Sequence, residues 1–171
     1  MKLIKLLKLL CAIQCNSLIN QYSGLMLLVV MFLAGCSNAP ERPSLAPAVL
    51  PKVTQYALSL QGAPYRWGKA SPQEGFDCSG FIQHIYQQQG VYLPRTVREM
   101  ASVLTPVSED NLHSGDLLFF NTNGKSFSHV GLYVNNDQFI HAPSHRSGKV
   151  HLSSLKQQYW KNRYTGARRP K

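Results

Sequence analysis

The sequence predicts an α+β domain in which helices come first and an antiparallel sheet follows. Three observations predict it. Apolar residues recur at helical spacing from Val53 to Leu104, and short strand-like runs separated by Asn, Asp, Gly and Ser follow Gly115. At 171 residues and 44% hydrophobic, the chain is also large enough for one real core. No internal repeat interrupts this order.

The chain opens with Lys2, Lys5 and Lys8, carries no further charge until Glu41, and has an almost unbroken apolar run from Leu25 to Ala34. That is the layout of an export signal. The run ends in Leu33-Ala34-Gly35-Cys36, which resembles the lipobox of bacterial lipoproteins. The expectation is a signal peptide over 1–35 and an acylated Cys36 as the new first residue. A membrane-spanning helix is the competing reading, but the run is about half of the ~20 residues a span needs. The leader is long, so initiation downstream of Met1 is an alternative that leaves the processed chain unchanged. Ser37 lacks the aspartate that resembles an inner-membrane retention signal, which in a two-membrane host implies lipid anchoring at the periplasmic face of the outer membrane.

Residues 36–51 carry four prolines among Ser, Asn and Ala and read as the anchor followed by an extended tether. The domain is expected over 52–171. Its first helix presents Val53, Tyr56, Ala57 and Leu60 and stops at Gly62. Asp77 is a candidate N-cap for a second helix that buries Phe81, Ile82, Ile85 and Tyr86, with Cys78 as its opening residue. Thr96 and Glu99 fit a capping box for a third, which turns Val97, Met100, Ala101 and Leu104 inward and is closed by Pro106. Strands are expected at 116–120, 129–134 and 138–142, with a weaker one near 150–152, and the sheet should pack on the second helix.

Formal charge is +10, from 18 Lys and Arg against 8 Asp and Glu, and removal of the leader takes only basic residues away. Anionic surroundings would attract such a chain. Apart from the tail Arg168-Arg169-Pro170-Lys171 the basic residues are scattered and form no stripe, which argues against nucleic acid as a partner.

If Cys11 and Cys15 leave with the leader and Cys36 carries lipid, Cys78 is the one free thiol of four cysteines. A helix start favours the thiolate through free N–H groups and the helix dipole, so a lowered thiol pKa is expected. An inert buried cysteine is the plain alternative. The segments 128–133 and 139–142 place His129 and His141 on neighbouring strands of one hairpin, which makes a Cys, His, His constellation available. The two imidazoles share a face only if the loop is odd in length, as Asn135-Asn136-Asp137 would be, or if a bulge compensates. A zinc site built from the same three residues is the rival, though no fourth ligand is evident. His84, His113, His145 and His151 read as surface residues. Arg66 and Arg95 could face substrate carboxylates or be ordinary surface charge.

Several ordered segments carry a resemblance: Gly62 to Gly68 (GAPYRWG), Phe76 to Phe81 (FDCSGF), Leu93-Pro94-Arg95-Thr96, Gly115-Asp116-Leu117, His129-Val130-Gly131 and Phe139-Ile140-His141-Ala142. Over about residues 52–169 the chain resembles the NlpC-type family of cell-wall cysteine peptidases, which has a papain-like fold. The resemblance implies Cys78 as nucleophile, His129 as general base and His141 as the residue that orients it. It also implies that Tyr65 lines the cleft behind Cys78 and that peptidoglycan stem peptides are the substrate; Ser79 and Arg95 are read as further cleft residues, and no cofactor is expected. The bond cut would be D-glutamyl-diaminopimelate or D-alanyl-diaminopimelate. A silent wall-binding module and a thiol acyltransferase or amidase are the other functions such a scaffold could serve. Any regulatory protein is unspecified by the sequence.

Overall fold

The computed structural model describes residues 50–144 and 146–171. The leader, Cys36, most of the tether and His145 lie outside them.

Helix α1 (Lys52–Ser59) buries Val53, Thr54 and Ala57. A small hairpin of β1 (Ala70–Ser71) and β2 (Gly75–Phe76) leads into α2 (Cys78–Gln87). Asp77 caps α2 by accepting from the Gly80 N–H at 2.7 Å, as its position before the apolar run predicts. Helix α3 (Val97–Val103) starts with the expected Thr96–Glu99 capping box. Leu104 is its C-cap, and Pro106 lies in a short strand, β3 (Thr105–Val107), rather than simply closing the helix. An edge strand tolerates a residue that cannot donate to a ladder.

The remaining strands are β4 (Leu117–Phe120), β5 (His129–Asn135), β6 (Gln138–His141), β7 (His151–Ser154) and β8 (Tyr164–Arg169), with the one-turn helix α4 (Gln158–Lys161) before β8. They form one antiparallel sheet in the order β3-β8-β4-β5-β6-β7. Both faces are covered. Leu117, Phe119, Val130, Leu132 and Ile140 pack with Phe81, Ile82 and Ile85 of α2. Leu118, Phe120, Phe139 and Ala167 pack with Leu155 and Trp160 on the opposite face. The result is the α+β fold expected, helices before sheet.

Arg168 and Arg169, read from sequence as part of a basic tail, belong to β8. Arg168 donates to the Ala101 carbonyl at 2.9 Å, and Arg169 makes two 2.7 Å bonds to the buried carboxylate of Asp116. Arg168 thus ties β8 to α3, and Arg169 ties it to the residue before β4.

The β5–β6 turn has two central residues, Asn136 and Asp137, with φ of 46° and 62°. This is the conformation a tight hairpin between twisted strands requires, and Asn and Asp tolerate it. An even turn alone would put the two histidines on opposite faces. A register shift between Tyr133 and Asn135 restores the pairing Leu132↔Ile140, so the compensating bulge is the device used.

Candidate active site

The two histidines meet. Nε2 of His129 lies 2.8 Å from Nδ1 of His141, and Nε2 of His141 lies 2.9 Å from Oγ of Ser153 on β7. Gly131, between them on the sheet, makes the approach feasible. A Cβ there would stand 2.6 Å from the Phe139 ring and 3.2 Å from Cβ of His141. Trp160 stacks on His129 with ring centroids 5.5 Å apart and lies edge-on to His141. Under this cover both imidazoles are held neutral. Burial, then neighbouring His151, lowers the His129 pKa to about 3. Burial, then His129 and His151, takes His141 well below the ordinary range.

Cys78 opens α2 and is partly exposed. It packs against the core that α2 shares with the sheet. No hydrogen bond joins the sulfur to the His129 ring, so the structure brings the two histidines together but does not bond them to the thiol, and the pairing with His141 leaves Nδ1 as the His129 nitrogen unpaired among the described residues. The expected lowering of the thiol pKa is not found. Burial, and after it the Asp77 carboxylate, push it up to about 11, against smaller contributions from the N–H groups. Desolvation outweighs the helix start because the thiolate would have to form away from water and beside a carboxylate. The resting pair is a neutral thiol and a neutral imidazole.

Asp77 is more than a cap. Its carboxylate accepts from the Gly68 and Gly80 N–H groups, from Ser79 Oγ, and from Arg95 at 2.7 and 3.1 Å. Gly80 has to be glycine here, since a Cβ would collide with the Lys69 carbonyl oxygen. Arg95 also donates to Ser79 Oγ at 2.7 Å. The arginine is therefore committed to Asp77 and Ser79, which narrows the sequence reading of a free partner for substrate carboxylates. Arg66 donates to the Tyr65 carbonyl. Tyr65 is buried, and its pKa is raised by burial, then by the charges of Cys78 and Asp77 beside it.

A cavity of about 330 Å³ opens over the thiol, walled by Trp67, Cys78, Ser79, Arg95, Thr96 and Ser128. Trp67 is 85% exposed there and was not singled out as a site residue. Its signal was available, as a large aromatic between Gly62 and Gly68 with no apolar periodicity to explain it. His84, read as a surface residue, is half-buried, bonded to the Tyr56 hydroxyl at 2.9 Å and packed on Phe76. His113 is exposed, and His151 lies at the sheet edge beside His141. Among the described residues no three His, Cys, Asp or Glu side chains are grouped as metal ligands, so the rival zinc arrangement is not assembled.

Known proteins resemble this chain both in sequence and in fold. The murein DD-endopeptidase MepH of Escherichia coli (strain K12) is 43% identical over 124 residues, which cover 69% of this chain and 45% of MepH. The chain thus spans less than half the length of that relative. The probable endopeptidase NlpC of the same organism is 37% identical over 152 residues, covering 85% of this chain and 97% of that protein. The crystal structure of an NlpC/P60 family protein from Bacillus cereus ATCC 10987 superposes with a TM-score of 0.65 at 31% identity, covering 70% of this chain and 39% of that one. A family model described as the NlpC/P60 family matches residues 62–169, and the chain belongs to that family.

Proposed function

We propose that this chain is a peptidoglycan endopeptidase acting through Cys78, His129 and His141. The observation that carries this reading is the hydrogen-bonded row of His129, His141 and Ser153 on the sheet against which α2, the helix opened by Cys78, packs. Because the resting pair is neutral, proton transfer accompanies attack. Nδ1 of His129 takes the thiol proton as sulfur bonds to a stem-peptide carbonyl carbon, then gives it to the leaving amine as the C–N bond breaks. Water releases the acyl group from sulfur. The backbone N–H of Cys78 and the Tyr65 hydroxyl are the donors for the oxyanion. Ser79 and Arg95, joined through Asp77, form one wall of the substrate cleft. His141 orients His129, so its loss costs less than loss of Cys78.

The scissile bond is one of two. MepH is named a DD-endopeptidase, whereas CwlT of Bacillus subtilis, 40% identical over 112 residues, is named a muramidase/DL-endopeptidase. The D-alanyl-diaminopimelate crosslink and the D-glutamyl-diaminopimelate bond correspond to these. In the same reading, residues 1–35 are removed, Cys36 carries lipid and 36–51 tether the domain over 52–171; in a two-membrane host, Ser37 after the anchor supports the periplasmic face of the outer membrane.

Mass analysis of peptidoglycan incubated with the chain and with its Cys78→Ala variant tests the proposal. New stem-peptide fragments from the first alone are expected, and their ends identify the bond. Uncut material from both would overturn it in favour of a wall-binding role.

A further inference from the structure

His141 is held at both ring nitrogens, by His129 on one side and by Ser153 on the other. Ser153 sits opposite Phe139 on the β6–β7 ladder, is 9% exposed, and its hydroxyl makes no other hydrogen bond among the described residues. The neighbouring His151 does not compete for this contact, since its Nδ1 is directed to the Lys149 carbonyl. A neutral imidazole has one N–H and one bare nitrogen, so a row of two rings ending in a hydroxyl has two self-consistent proton arrangements.

We infer that Ser153 is a positioning residue for His141, and that the Ser153 hydroxyl oxygen supports the arrangement that leaves His129 able to act as base. Its oxygen accepts from Nε2–H of His141, Nδ1 of His141 accepts from Nε2–H of His129, and Nδ1 of His129 keeps the lone pair that receives the Cys78 proton. This assignment rests on the peptidase reading above.

In the opposite arrangement the hydroxyl donates, His141 carries its proton on Nδ1, and His129 is already protonated at the nitrogen that must act as base. The charged intermediate makes the same selection. When one proton has passed from Sγ to Nδ1, His129 bears N–H on both sides, and only the first arrangement offers it a bare acceptor. In the second, two N–H groups would face each other at 2.8 Å in a buried place. The protons on Nε2 of His129 and of His141 do not move in either half of the reaction. Trp160 covers both rings, and His141 itself is fully buried. The Ser153 side chain instead borders a cavity of about 690 Å³ shared with His151 and Trp160, into which its own O–H can point.

Ser153→Thr and Ser153→Val test this in the full-length chain, because they match in shape and differ in the hydroxyl. Two readouts are needed: the ¹⁵N shifts that report the tautomers of His129 and His141 in the ligand-free protein at neutral pH, and kcat and KM on peptidoglycan fragments. Ser153→Thr is expected to keep the wild-type tautomers and activity. Ser153→Val is expected to lose the single tautomer pattern and to lower kcat roughly 10- to 100-fold with KM little changed. Unchanged tautomers in Ser153→Val, or in Ser153→Ala where valine prevents folding, overturn the inference. A wild-type chain that cuts no peptidoglycan while the tautomers still respond to Ser153→Val would sink the peptidase reading and leave the tautomer assignment supported.

Discussion

Two arginine–aspartate pairs in this domain are chemically almost the same contact. Arg95 donates twice to Asp77, and Arg169 donates twice to Asp116. In each the arginine side chain is 38% exposed and the carboxylate is nearly buried. Their surroundings differ. Asp77 caps the helix that begins with the Cys78 thiol, whereas Asp116 precedes β4 and accepts from the last residue of β8. One contact therefore shapes a charge environment and the other closes a sheet. The lesson is that an ion pair's role is set by what else its carboxylate touches, since bidentate geometry alone is common to both.

The sharpest way to break the comparison is to remove each carboxylate. Asp77→Ala and Asp116→Ala each strand a partly buried arginine and should lower the unfolding free energy by about 3 kcal/mol, read by urea denaturation. Peptidase activity per folded molecule should separate them. Displacement of the α2 start costs on the order of 100-fold in Asp77→Ala, whereas Asp116→Ala stays within about twofold of wild type. Equal activity losses would show that the two pairs do the same job.

A second, smaller effect distinguishes the arginines. Arg95→Ala leaves the Asp77 charge unneutralised beside Cys78, so the thiol pKa rises further and alkylation by iodoacetamide at pH 8 slows by roughly 3- to 10-fold. Arg169→Ala leaves that rate unchanged. In the wild type the rate should keep climbing towards pH 11, in line with a thiol pushed up to about 11. A plateau near neutral pH would contradict the neutral resting pair.

The last effect is read against pH and concerns a polar contact with no charge in it. His129 and His141 both have folded pKa values below their unfolded ones. Their neutral burial thus contributes stability that is fully present above about pH 6.5 and is lost as pH falls towards 3. Urea midpoints should decline across that window, and less steeply in His141→Gln. An equal slope in the variant would assign the decline elsewhere.

What could be read from the sequence follows the range of each interaction. Asp77 as a cap, the Thr96–Glu99 box and the apolar faces of α2 and α3 are encoded within four residues, and all were legible. The histidine pairing was legible as a condition on register. Its solution, an even turn with a bulge, was not, because a bulge depends on packing across the strand pair. Arg95 meets Asp77 across 18 residues and Arg169 meets Asp116 across 53, and neither separation leaves a local pattern. Strand β8 was missed for the same reason. Tyr164, Ala167 and two arginines show no clean alternation, and only β3 and β4 on either side make them a strand. Ser153 was invisible as one serine in a weak run.

That place of β8 between β3 and β4 has a consequence for how the chain is made. During synthesis from the amino end, α2 and the β4–β5–β6 hairpins are complete long before residues 164–169 exist. Until those residues arrive, Leu117–Phe120 is an apolar strand with one open edge, the kind of surface that pairs with other chains. The sheet closes by a late, long-range insertion rather than by successive neighbours, which makes this domain slow to finish and dependent on being kept apart from its copies while it does so.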